Sequence, residues 1–140
     1  MVAGDMDIDD RVSPEDEAAV VRGLLAFNEN WIGPSNEKPV KLVARDHHGI
    51  VGGLIGHTRW GWLYVAKLWV HERARGHGVG TRLLSAAEDI ARSRGCTDAS
   101  LDTFEYQARP FYEKLGYELF GTLDGYPPGY RQFYLRKSLR

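Results

Sequence analysis

The sequence predicts an α/β (α+β) fold: one mixed sheet of about seven strands with helices on its faces. Three observations carry this. Strand-like and helix-like segments interleave in the order β, α, β, β, β, α, β, α, β, β, which sets helices against a sheet rather than against one another. An apolar run, Trp62–Val70, leads through a glycine-rich loop directly into an amphipathic segment, residues 79–94, so a strand feeds a helix at the middle of the chain. The chain has 140 residues, 43% of them hydrophobic and 26% charged, which is the size and make-up of one soluble globular domain spanning 1–140.

Each element follows from local chemistry. Residues 6–12 alternate weakly and predict a short first strand. Ser13-Pro14-Glu15-Asp16 is a helix start, with a hydroxyl cap, proline at the first position and acids in the first turn. Ala19, Val20, Gly23, Leu24 and Phe27 follow at helical spacing, and the helix is expected to end near residues 28–30. Residues 31–39, with Gly33, Pro34 and Pro39, read as a loop. Trp31 within it is either cover for the core or part of a substrate wall. Residues 40–44 and 50–57 are strand-like, joined by the hairpin turn Asp46-His47-His48-Gly49. The two histidines diverge on such a turn and have no third ligand nearby, so a solvated turn is expected and no metal site. Trp60-Gly61 turns the chain into Trp62–Val70.

The helix over 79–94 puts Val79, Leu83, Leu84, Ala87, Ile90 and Ala91 on one face and stops at Gly95. A strand at 99–104, a short helix at 107–115 ended by Gly116, and strands at 117–123 and 131–139 complete the order. The single cysteine, Cys96, excludes an internal disulfide and reads as a small buried residue in a reducing, cytoplasmic setting. Residues 1–10 are acidic without an apolar signal core, and no apolar run approaches the roughly 18 residues of a membrane span, so neither secretion nor a membrane partner is expected. A formal net charge of −1 argues against a nucleic-acid partner, but basic residues cluster between Arg73 and Arg94. A basic patch on a near-neutral protein points to one anionic ligand.

The loop after Val70 supplies the place for it. Gly76, Gly78 and Gly80 alternate at the start of a helix, where free N–H groups and the positive end of the helix dipole suit a phosphate. The spacing G-x-G-x-G is neither the dinucleotide nor the nucleoside-triphosphate motif.

Arg75-Gly76-His77-Gly78-Val79-Gly80 resembles the R/Q-x-x-G-x-G/A motif of the GNAT superfamily, the acyl-CoA-dependent N-acyltransferases. The segment from Ala108 through Arg109, Pro110, Phe111, Tyr112, Glu113, Lys114, Leu115 and Gly116 to Tyr117 resembles its second signature, A-x-x-x-Y-E-K-x-G-F/Y. The resemblance covers nearly all of the chain. It implies a GNAT-like, mostly antiparallel central sheet with a V-shaped splay between its two central strands, and acetyl-CoA as cosubstrate.

By the same resemblance, Arg75, Gly76, His77, Gly78, Val79, Gly80 and Thr81 would hold the CoA pyrophosphate. Leu68, Trp69 and Val70 would pair with the pantetheine arm, and a backbone N–H near Leu68 or Trp69 would polarise the thioester. Phe111 and Lys114 belong to the second signature's share of the cofactor site. Tyr112 matches the tyrosine proposed to protonate the departing thiolate. Where the family often carries an asparagine against pantetheine this chain has Glu105, and Gln107 is the expected substitute.

The strand before the loop has no acid, so the base is read elsewhere. Asp102 is the first candidate, His57 and Glu72 are others, and a water relay is a further route. Tyr64, Trp31 and Tyr126 are expected on the acceptor side, among a wider set with Trp60, Trp62 and Tyr130. Such a wall suits a small aromatic or cationic amine. The expected activity is direct acetyl transfer to a small-molecule primary amine, against a peptide acceptor or a non-catalytic acetyl-CoA sensor. A homodimer through the edge offered by the C-terminal strands is implied by the family.

Overall fold

The computed structural model describes Gly4 and residues 6–140. The described residues up to Ser35 form one compact unit and Asn36–Arg140 a second. The first unit is dominated by α1 (Pro14–Ile32), which starts as the sequence predicts. Ser13 accepts from the Asp16 amide while Asp16 accepts from the Ser13 amide, a reciprocal capping box. The helix runs past the expected end, so Trp31 and Ile32 belong to its last turn, and Gly33 closes it. Its apolar residues Leu24 and Phe27 are both more than 60% exposed. Residues 6–12 form no strand. Asp9 instead accepts from both the amide and the guanidinium of Arg11, a local turn that takes up the Arg11 amide a ladder would need.

The second unit is a six-stranded sheet, one fewer than expected because residues 6–12 do not join it. Its strands are β1 (Lys38–Asp46), β2 (Gly49–Arg59), β3 (Trp62–Val70), β4 (Asp98–Phe104), β5 (Glu118–Asp124) and β6 (Arg131–Ser138). They lie in the order β1-β2-β3-β4-β6-β5, so the C-terminal edge is β5. Every pairing is antiparallel except β3 with β4. α2 (Val79–Ser93) is amphipathic as predicted and buries Leu83, Leu84, Ala87 and Ala91 among the core residues Leu54, Leu63, Val65, Ala99, Leu101 and Leu135. α3 (Arg109–Lys114) adds Tyr112 to the same core. Cys96 is buried and free, and burial pushes its thiol up, away from nucleophile chemistry.

Two buried features would not be guessed from hydropathy. Glu88, on the core face of α2, accepts from the Tyr117 hydroxyl at 2.7 Å and from the Lys137 ammonium at 2.9 Å. Gly56 lies so close to β3 that a Cβ there would meet the Tyr64 carbonyl oxygen. Beside it the β2–β3 register shifts, with Ile55 opposite Lys67 but Gly56 opposite Val65, leaving Ala66 as an extra residue in β3.

Candidate active site

The sheet opens at its centre. β3 and β4 pair only from Trp62 with Asp98 to Val65 with Leu101. Past that point, where Ala66 bulges, both strands continue without each other: β3 to Val70, against β2 alone, and β4 to Phe104, against β6 alone. The gap is the floor of a cavity of about 920 Å³ whose walls run from Lys67, Leu68, Trp69 and Val70, over the glycine loop, to Gln107, Phe111 and Tyr112 on the far side.

The loop is built for close approach. A short 3-10 turn, Glu72–Ala74, follows β3. Gly76 and Gly78 then take positive φ values of 79° and 78°, with open space where a side chain would start. Gly78 caps α2 in the left-handed conformation without any side-chain cap bond, and the first turn of α2 holds no acid. The first amides of α2 are therefore free to meet an anion. Gly80 serves packing instead: a Cβ there would sit 3.2 Å from the Phe111 ring. Arg75 lines the cavity, with its Nε donating to the Val70 carbonyl at 3.1 Å.

Among the described residues, Asp102 is the only carboxylate lining the cavity. Its Oδ1 accepts from the Tyr64 hydroxyl at 2.6 Å and its Oδ2 from Gln132 Nε2 at 2.9 Å, and Tyr134 in turn donates to Gln132 Oε1 at 2.8 Å. The hydrogen bond to Asp102, followed by burial, pushes the Tyr64 hydroxyl up to about 12. Tyr112 is buried, and burial first, then the charge of Asp102, pushes its hydroxyl up to about 12 as well. Both phenols therefore stay protonated through the neutral range.

A family profile described as "Acetyltransferase (GNAT) family" matches residues 7–117. An acetyltransferase of Agrobacterium fabrum is 37% identical over 131 residues, 93% of this chain and 96% of that protein. The blasticidin-S acetyltransferase of Streptomyces morookaense is 44% identical over 91 residues, 64% of this chain and 67% of that protein. An acetyltransferase crystal structure from Bacillus cereus superposes with a TM-score of 0.84 at 29% identity, covering 95% of this chain and 98% of that one. The chain belongs to the GNAT family. It is an acetyl-CoA-dependent acyltransferase.

For a GNAT enzyme the cavity is suitably furnished. Open amides at the α2 start and the Arg75 side chain suit a pyrophosphate. The β3 edge left unpaired beyond Val65 suits an extended amide-bearing arm. Of the residues expected at the cofactor, Leu68, Trp69, Val70, Arg75, Gly76, Gly78, Val79, Gly80, Thr81, Gln107 and Phe111 line the cavity, whereas His77 and Lys114 do not. His77 sits between two left-handed glycines, and Lys114 ends α3. Gln107 Oε1 is engaged by Thr103 Oγ1 at 3.1 Å and the Phe104 amide at 2.6 Å, so this side chain fastens the end of β4. Glu105 is turned to the surface, where its bond to Arg131 at 2.7 Å holds its carboxyl below the usual range.

Of the residues expected at the acceptor, Tyr64 joins the Asp102 cluster. Tyr126 is outside the cavity lining, edge-on to Phe104 at 5.4 Å. Trp31 is on α1 and 76% exposed. Sequence reasoning missed Phe104 and Tyr106, which stack at 5.8 Å and line the cavity, with Tyr130 edge-on to Tyr106. Their signal was an aromatic pair at the end of a strand. His57 and Glu72, the other candidate bases, lie outside the cavity lining, and His71 rather than Glu72 caps the 3-10 turn. Among the described residues no group of three or more His, Cys, Asp or Glu side chains is placed to hold a metal, and no helix is long and apolar enough to cross a membrane.

Proposed function

We propose that this enzyme, acting as a single acetyltransferase domain, moves the acetyl group of acetyl-CoA to a primary amine of a small molecule by direct transfer in a ternary complex. The observation that carries the reading is the pairing of one cavity carboxylate, Asp102, with one buried, protonated phenol, Tyr112, close enough for the charge of the first to act on the second. Such a pair divides the two proton transfers that aminolysis of a thioester requires. Acetyl-CoA supplies the acetyl group as a thioester. As the amine nitrogen bonds to the acyl carbon and the carbon–sulfur bond breaks, Asp102 takes the surplus proton from nitrogen. Tyr112 gives its hydroxyl proton to sulfur and recovers one afterwards. Tyr64 and Gln132 hold Asp102 in place without a cation to neutralise it. A relative named for blasticidin-S supports a small-molecule acceptor.

The test is a calorimetric CoA titration followed by an amine screen reading free thiol. With an amine found, Tyr112→Phe is expected to lower kcat by about 100-fold, as loss of a general acid does, while leaving KM for acetyl-CoA near its original value. Because the Tyr112 proton is held to about pH 12, its loss should not limit kcat below about pH 11. Unchanged turnover in the variant would remove Tyr112 from the chemistry.

A further inference from the structure

A second hollow of about 410 Å³ lies on β2, β3 and β4, lined by His57, Arg59, Trp60, Trp62, Tyr64 and Ser100. The ladders explain its composition. His57 is opposite Tyr64 and Arg59 opposite Trp62, while Tyr64 is in register with Ser100. Alternation along each strand then puts Trp62 and Tyr64 on one face, and Ser100 and Asp102 on the matching face of β4. Tyr64 belongs to both places. Its ring is a wall of the hollow, 5.5 Å from the His57 ring, and its hydroxyl is bonded to Asp102 in the main cavity. One tyrosine side chain thus touches both the hollow and the carboxylate.

The charges around the hollow are already matched. The Arg59 guanidinium lies 5.4 Å from the Trp60 ring centre and that of Arg136 lies 5.2 Å from the Trp62 ring centre. The nearby carboxylates are held by these same two cations, Glu37 by Arg59 at 3.6 Å and Asp98 by Arg136 at 4.0 Å. Among the described residues none lining the hollow is acidic. An additional cation would find a guanidinium already at each indole, and Glu37 and Asp98 already paired with those guanidinium groups. A planar neutral group would meet rings and lose no charge solvation.

We propose that this hollow seats the body of the acceptor, and that it selects an amine with a planar, conjugated body carrying no positive charge beyond the reacting nitrogen. The proposal rests on the acetyl-transfer reading above and narrows its substrate class; a polyamine or other polycation is the wrong partner for this surface.

The test compares 2-phenylethylamine with spermidine as acceptors for the full chain under saturating acetyl-CoA. The expected result is a kcat/KM at least about tenfold higher for 2-phenylethylamine. Trp62→Ala should raise its KM about tenfold, the worth of one good ring contact, leave KM for acetyl-CoA unmoved, and be largely rescued by Trp62→Phe. Trp60→Gly provides a second variant that keeps the turn, since Trp60 holds a positive φ of 46° that glycine adopts freely. Equal or better use of spermidine, or a KM unmoved in both variants, overturns the proposal while leaving acetyl transfer standing. If neither amine is acetylated, calorimetric titration of 2-phenylethylamine into CoA-bound enzyme decides. Saturable binding lost in Trp62→Ala keeps the hollow and removes the transfer reading, and absence of binding overturns the hollow.

Discussion

Two carboxylates in this protein are built alike up to a point. Glu88 and Asp102 each accept a short hydrogen bond from a tyrosine hydroxyl, Tyr117 at 2.7 Å and Tyr64 at 2.6 Å. The second partner differs. Glu88 meets the Lys137 ammonium, and its charge is cancelled in the core. Asp102 meets the Gln132 amide, which orients the carboxylate without cancelling it. A carboxylate paired with a cation serves the fold, because neither charge can be left behind in the core. A carboxylate held by neutral donors beside a cavity retains a negative charge that an incoming ammonium or a proton can use.

The contrast can be broken at either end. The largest expected effect is at the cavity: Asp102→Asn should lower kcat/KM by about 100- to 1000-fold, as removal of a general base does, while changing unfolding free energy by less than about 1.5 kcal/mol. A steady-state assay beside a urea titration reads both, and an active Asn variant would strip Asp102 of its proposed role. At the other end, Lys137→Met removes the nearer cation of the buried Glu88 and leaves only Arg92, at 4.0 Å. The expected cost is about 3 kcal/mol of stability, with kcat of the folded fraction intact. A variant as stable as the parent would show that Tyr117 and the more distant Arg92 suffice.

Gly56→Ala should cost about 2 kcal/mol through overpacking against the Tyr64 carbonyl, and it sharpens the contrast because it displaces the Asp102 partner only. Turnover should fall by more than the lost folded fraction explains. The smallest effect is expected from Tyr134→Phe, which removes the donor to Gln132 Oε1, two hydrogen bonds away from the carboxylate. It should cost about 1 kcal/mol and a few-fold in kcat, with the Glu88 cluster untouched.

What could be read in the sequence was local. Ser13 and Pro14 announce α1 because cap and first-turn chemistry lie within four residues. Trp62–Val70 and the start of α2 were readable because glycines punctuate them. The failures were non-local. Residues 6–12 alternate like a strand, but a strand needs a neighbour, and Arg11 offers Asp9 a nearer bond. Asp102 could be named from its place beside the splay. Its partners could not, since Tyr64 is 38 residues earlier and Gln132 is 30 later, and only the β3–β4–β6 ladder order brings them together. Glu88 looks like a solvent residue of an amphipathic helix until β6 delivers Lys137. The Phe104–Tyr106 pair was hidden for another reason: a strand end and the loop after it look alike in composition whether or not a cavity opens beside them.

The brief β3–β4 ladder has a mechanical consequence. Its pairs run only from Trp62–Asp98 to Val65–Leu101, whereas β4 is joined to β6 along its whole length. The sheet is therefore two stiff plates, β1–β2–β3 and β4–β6–β5, meeting at a short seam. Flexing should concentrate there, so that the width of the opening is set by a hinge rather than by the bending of any strand. A molecule spanning both plates would act as a brace, and slower hydrogen exchange along Trp62–Val70 and Asp98–Phe104 on adding CoA would record it.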